Sequence, residues 1–129
     1  MKHFGVHMLI DGYGSPESML NDRERILCFL TDTVENLNMH PISEPLVVEV
    51  GANNKKDPGG LSGFVMIAES HISIHTFPKR AFFSADIYTC NDDIDEVAIR
   101  DMCAEKFAAT KLDSKVLIRG TEYPSENVY

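Results

Sequence analysis

The chain is short of cysteine, of basic clusters and of long apolar runs, and each shortage removes a class of protein. Three cysteines in 129 residues, an odd count with no Cys-x-x-Cys pair, argue against a disulfide scaffold or a zinc ribbon. A reducing, cytoplasmic setting is the expectation. No uncharged apolar run approaches the ~20 residues of a membrane helix. Met1-Lys2-His3-Phe4 lacks the apolar stretch and cleavage site of a secretory leader. Lys and Arg number 12 against 20 Asp and Glu, a net charge of −8. Nucleic-acid binding leaves a basic patch, and the basic clusters are limited to Lys55-Lys56 and Lys79-Arg80. Neither nucleic acid nor a membrane is an expected partner. Internal repeats and low-complexity tracts are also missing.

What remains is globular composition, 43% hydrophobic and 25% charged, in a length that suits one domain over residues 1–129. Residues 3–10 read as a strand and Asp11 to Pro16 as a turn. From Ser18 to Met39 the apolar residues Leu20, Ile26, Leu27, Leu30, Val34 and Leu37 share one helical face, and His40-Pro41 ends it. Strands follow at 46–50, 61–69, 70–77 and 81–90, with a Gly-rich loop at 51–60 and a turn at Pro78-Lys79-Arg80. Asn91-Asp92-Asp93 caps a helix over 94–109 that carries Val97, Ile99, Met102, Cys103 and Phe107. Val116 to Ile118 is a last strand, before a polar tail from Gly120. The order β-α-β-β-β-β-α-β with short turns predicts an α+β domain: a two-layer sandwich, mainly antiparallel, with two helices on one face. Cys28 and Cys103 read as small core residues.

Reactive side chains are densest in Glu69-Ser70-His71-Ile72-Ser73-Ile74-His75-Thr76-Phe77-Pro78. The plain reading is an amphipathic strand, with His71, Ser73 and His75 outward and Ile72 and Ile74 inward. A metal is not expected. His3-x-x-x-His7 and His71-x-x-x-His75 lie in strand patterns, where four steps separate Cα atoms by about 13 Å. A Ser-His hydrolase lacks its Gly-x-Ser-x-Gly elbow, and Ser70 and His75 have opposite strand parity.

The block Glu69-Ser70-His71 followed by His75-Thr76-Phe77-Pro78 closely resembles the prokaryotic S-adenosylmethionine decarboxylases. The likeness includes Gly5-x-His7, Ser62-Gly63 ahead of the block, and Asp86-Ile87-Tyr88-Thr89-Cys90, and it spans residues 3 to 120. It implies that family's fold and a chain that cuts itself between Glu69 and Ser70, leaving 1–69 and 70–129. Ser70 becomes a pyruvoyl group, which forms a Schiff base with the substrate and replaces pyridoxal phosphate. His75 stands at the family's processing-base position, Ser62 at the hydroxyl that steadies the cyclic intermediate, and Cys90 at the proton donor. Phe77 is a stacking surface for the substrate. Lys79 falls where related enzymes carry Glu, a residue that resembles a ligand for ribose hydroxyls, and a lysine cannot accept such bonds. The resemblance implies a cytoplasmic homodimer that decarboxylates S-adenosylmethionine for spermidine synthesis, without metal. Two alternatives stay open: a diverged L-ornithine or L-arginine decarboxylase, and a non-catalytic regulatory homologue.

Overall fold

Alternation along the strands decides which way the sheet faces. In a computed structural model describing residues 3–53, 56–124 and 126, six strands form one sheet. They are β1 (Gly5–Tyr13), β2 (Leu46–Val50), β3 (Gly60–Ile67), β4 (Ser70–Phe77), β5 (Phe82–Thr89) and β6 (Lys111–Arg119). The order is β2-β3-β4-β5-β1-β6, and every neighbouring pair is antiparallel. Met8, Ile10, Leu61, Val65, Ile72, Ile74, Phe83 and Ile87 point to one side. There they share a core with Ile26, Phe29, Leu30 and Val34 of α2 (Arg23–Asn36) and Ile99, Met102 and Phe107 of α3 (Glu96–Phe107). Full burial of each such side chain contributes about 1.5–3 kcal/mol. The intervening residues, among them His7, Leu9, Phe64, Met66, His71, Ser73, His75, Asp86 and Tyr88, face away from both helices.

The expected two-layer α+β sandwich is therefore the observed one, with several boundaries moved. The first strand runs on to Tyr13 because Gly12 and Tyr13 still pair with both Phe83-Phe82 and Leu112-Lys111. Gly12 permits this, since a Cβ there would lie 2.0 Å from the Phe83 ring. The long helix of 18–39 is two: a single turn, α1 (Glu17–Leu20), and α2, whose N-cap Asp22 accepts from the Arg25 N–H. Asn38, at φ 53°, ends it before His40-Pro41. The cap of α3 is Asp95, accepting from Ala98 N–H at 3.0 Å, and not the Asn91–Asp93 cluster. Val97 lies on the outer side of α3, 68% exposed, and Cys28 is exposed on α2. The last strand spans nine residues, because β1 supplies a partner along its whole length. Lys55 and part of the expected polar tail lie outside the described residues.

Candidate active site

The strand read over 61–69 stops at Ile67, and Ala68-Glu69 make a two-residue turn into Ser70, which pairs with Ile67. Turns of this length favour residues at positive φ, yet neither Ala68 nor Glu69 has one. The departure falls on Ser70, at φ 154°, a region that residues with a Cβ rarely occupy. The Glu69–Ser70 peptide is held from two directions. The Cys90 main-chain N–H donates to the Glu69 carbonyl at 2.9 Å. The Glu69 carboxylate accepts from the His40 ring at 2.7 Å and from the His40 main-chain N–H at 3.1 Å. Burial alone would raise the Glu69 titration, but the His40 donors outweigh it and hold this carboxyl below the usual range. The Ala68 N–H returns the contact by donating to the His40 carbonyl at 2.7 Å. His40 escaped sequence analysis because it lies 29 residues from Glu69, in a segment with no motif of its own.

Ser62 and His75 meet as cross-strand partners on the helix-free face, with Ser62 Oγ and His75 Nδ1 sharing a hydrogen bond of 2.8 Å. This pair is not beside Ser70. Ser70 begins β4, and His75 lies five residues along it on the opposite parity, which is about 17 Å of strand. The Ser70 hydroxyl makes no hydrogen bond among the described residues. Cys90 adjoins Ser70 instead, one residue past the Ser70–Thr89 pairing, and it is exposed. Gly5 makes room for this end of β5, since a Cβ on it would fall 2.1 Å from the Thr89 carbonyl oxygen. Of the other thiols, burial pushes Cys103 up to about 12, and Cys28 sits on α2.

Phe77 closes β4 and stacks on Phe82, centroids 5.6 Å apart. It borders a cavity of about 460 Å3 together with Asp57 and Arg80, and Asp57 also borders the recess beside Ser62 and His75. Lys79 borders a different groove, with Glu17, Asn21 and Glu49. The 3-10 turn Pro78–Arg80 thus sends its two cations to different sides, and Phe77 keeps company with Arg80 rather than Lys79.

A second polar cluster occupies the centre of the same sheet face. Asp86 Oδ2 accepts from His7 Nε2 at 2.6 Å, Asp86 Oδ1 accepts from the Ser73 hydroxyl, and His71 Nε2 stands 3.7 Å from Oδ2. Burial opposes the Asp86 charge, but the Ser73 and His7 bonds and the nearby histidines keep this carboxyl below the usual range. The ligand atoms of His7, His71 and Asp86 lie within 4.8 Å of one another, a grouping hidden from the sequence because three strands supply it. Arg119 Nη1 donates to His7 Nδ1 at 3.1 Å. A guanidinium only donates, so His7 carries its proton on Nε2, toward Asp86. In this tautomer Nε2 is not free to ligate a metal beside Asp86, and Nδ1 is engaged by Arg119.

Sheet topology, the Glu69–Ser70 turn with Cys90 beside it, and the Ser62–His75 pair together describe an α+β decarboxylase scaffold. The comparisons agree. The family model for S-adenosylmethionine decarboxylase matches residues 6–120, and the chain belongs to that family. An S-adenosylmethionine decarboxylase proenzyme of Clostridium tetani is 32% identical over 120 residues, covering 93% of this chain and 90% of its own. One of Pyrobaculum arsenaticum is 31% identical over 109 residues, covering 84% and 82%. The crystal structure of the Aquifex aeolicus adenosylmethionine decarboxylase superposes with a TM-score of 0.77 at 31% identity, covering 93% of each chain.

Proposed function

We propose that this chain is a self-processing S-adenosylmethionine decarboxylase whose prosthetic ketone is made from Ser70. One observation carries the reading: the Glu69–Ser70 peptide sits in a turn with its strain on Ser70 and its carbonyl already hydrogen-bonded by the Cys90 N–H. Ser70 Oγ adds to the Glu69 carbonyl carbon, the C–N bond breaks, and an ester to Oγ remains with a free amine on residue 70. The Cys90 N–H is placed to bind the oxygen on which charge develops. Loss of the Ser70 Cα proton then expels the Glu69 carboxylate and leaves a double bond at residue 70. Water adds, ammonia departs, and the new chain 70–129 begins with a ketone. That ketone supplies an electron sink for decarboxylating an amine-bearing substrate. The exposed Cys90 thiol, beside the new chain end, returns the proton to carbon. The product is the decarboxylated sulfonium used in polyamine synthesis. The family match favours this substrate over ornithine and arginine, and Lys79, turned to another groove, does not oppose the sulfonium.

The processing base comes from a second copy. Ser62 and His75 are hydrogen-bonded, yet about 17 Å of strand separates them from Ser70 in the same chain. The face that carries them also exposes Val48, Phe64, Met66, Leu9 and Leu117, an apolar surface suited to a second sheet. Two sheets face to face in a homodimer bring each His75 to the other chain's Ser70. Mixing unfolded Ser70→Ala and His75→Ala chains and refolding them tests this. Each variant alone should stay intact, and the mixture should cleave the His75→Ala chain. Cleavage of pure His75→Ala at the wild-type rate would remove His75 from the mechanism. A mixture that stays uncleaved would put the base within one chain.

A further inference from the structure

The cluster around Asp86 has no part in the steps above, yet hydrogen bonds from His7 and Ser73, and from Arg119 to His7, hold it together on the helix-free face. Its position suggests a purpose. His71 is covalently the next residue after Ser70 and lies within the cluster. Once the Glu69–Ser70 bond is cut, the His71 amide is the only covalent tether of residue 70, beside its sheet pairing with Ile67 and Thr89. A chain end with one covalent tether has more freedom than an uncut strand, and a reacting group displaced by about 1 Å can lose 10²-fold in rate. What fixes His71 therefore fixes residue 70.

His71 is fixed from several sides. Its ring stacks on Phe64 at 5.5 Å and 29°, meets Tyr88 edge-on at 5.7 Å, and stands perpendicular to His7 at 6.1 Å. Its Nε2 faces Asp86 Oδ2 at ion-pair distance, 3.7 Å. Asp86 cannot turn away, because the Ser73 hydroxyl holds one oxygen and His7 the other. His7 in turn is held by Arg119, whose guanidinium also lies over the Tyr88 ring at 4.4 Å. Four strands thus converge on the residue adjoining the reactive one.

We propose that Asp86 is a positioning residue: backed by His7, Ser73 and Arg119, it anchors His71 and through it holds the chain end at residue 70 in the geometry needed for turnover. This inference rests on the proposed role of Ser70 and deepens it. It assigns the cluster to the step after cleavage, when the second tether is gone. The uncut peptide still has its hold on Glu69 through His40 and Cys90, so cleavage depends less on Asp86.

The test uses purified, self-processed protein, with cleavage read by mass spectrometry and turnover by CO2 release from S-adenosylmethionine. Asp86→Ala and His71→Phe should each cleave, and each should lose about 10- to 100-fold in kcat with KM little changed. The double variant should lose no more than the worse single one, because both break one linkage. His71→Gln, which keeps a polar group able to reach Asp86, should recover most of the rate, and a plain packing role predicts no such rescue. Additive losses, or single variants turning over at the wild-type rate while fully cleaved, would overturn the proposal. If Asp86→Ala does not fold, His71→Phe against His71→Gln decides the matter alone. A loss of turnover on EDTA treatment that Mn2+ or Zn2+ restores, and that His7→Gln abolishes, would make the cluster a metal site and overturn it equally. A wild-type chain that never cleaves is a different failure, since it removes the role of Ser70 itself.

Discussion

In the proposed mechanism Cys90 contributes through two parts that mutation can separate. Its main-chain N–H holds the Glu69 carbonyl, and it is exposed beside Ser70. Cys90→Ala keeps the N–H and removes the thiol. It should therefore still cleave, while turnover falls about 10²- to 10⁴-fold, the usual contribution of a placed acid; mass spectrometry and CO2 release on one sample separate the two effects. Wild-type turnover in Cys90→Ala would make it a bystander. The side chains near Phe77 separate in a similar way. Asp57, whose Oδ1 accepts from the Gly59 N–H at 3.0 Å, borders both the Phe77 cavity and the His75 recess, and its carboxylate is the expected contact for a substrate bearing a cation and a diol. Lys79 borders neither. Asp57→Asn should raise KM for S-adenosylmethionine about tenfold, the worth of one charge-assisted hydrogen bond, with kcat nearly unchanged. Lys79→Glu should change neither constant, and a large gain from it would move the ribose end of the substrate to Lys79.

At the scale of elements, the β3–β4 hairpin is the working part. It is a two-residue turn without glycine, asparagine or a positive φ of its own, and Ser70 bears the difference. Strain of this kind costs on the order of 1–3 kcal/mol and persists only where surrounding contacts impose it. Here those contacts are the β3 and β5 pairings and the His40 strap, where Pro41 bridges to Ile67 and Ile42 N–H donates to Met66. Changing Ala68-Glu69 to Asn-Gly supplies the residues that a type I′ turn prefers. The double variant should unfold at slightly higher urea concentration and cleave several-fold more slowly than Glu69→Ala, which loses the His40 contact but keeps the turn. Equal cleavage rates in the two would show that strain at Ser70 does not drive the reaction.

For the whole molecule, the sheet has one dressed face and one open face. Both helices and the core lie on the first. The second carries the Ser62–His75 pair, the Asp86 cluster and the exposed apolar residues of β1, β2, β3 and β6. Leu46→Asp puts a charge on that face at an exposed residue that pairs with Phe64 and with neither polar group. In size-exclusion chromatography this variant should elute as a monomer where the wild type elutes as a dimer, and it should remain uncut. A monomeric variant that still cleaves would separate processing from assembly.

Much of this was legible in the residues. The two-layer α+β class, the split of inward Ile72 and Ile74 from outward His71, Ser73 and His75, and the chemical family all follow from period-two and period-3.6 patterning and from the Glu69–Thr76 block, because strand parity and a short reactive motif are local properties. Boundaries followed less well. Strand β6 was read as three residues and spans nine, since its length is set by pairing along the whole of β1 and not by its own apolar content. What only the tertiary structure decided is which distant residues meet. His40 reaches Glu69 across a hairpin, His7, His71 and Asp86 gather from three strands, and Lys79 and Arg80 part to different sides of one turn. Lateral neighbours in a sheet are about 4.8 Å apart in space yet tens of residues apart in the chain, so no local spacing encodes them; the register of the folded sheet does.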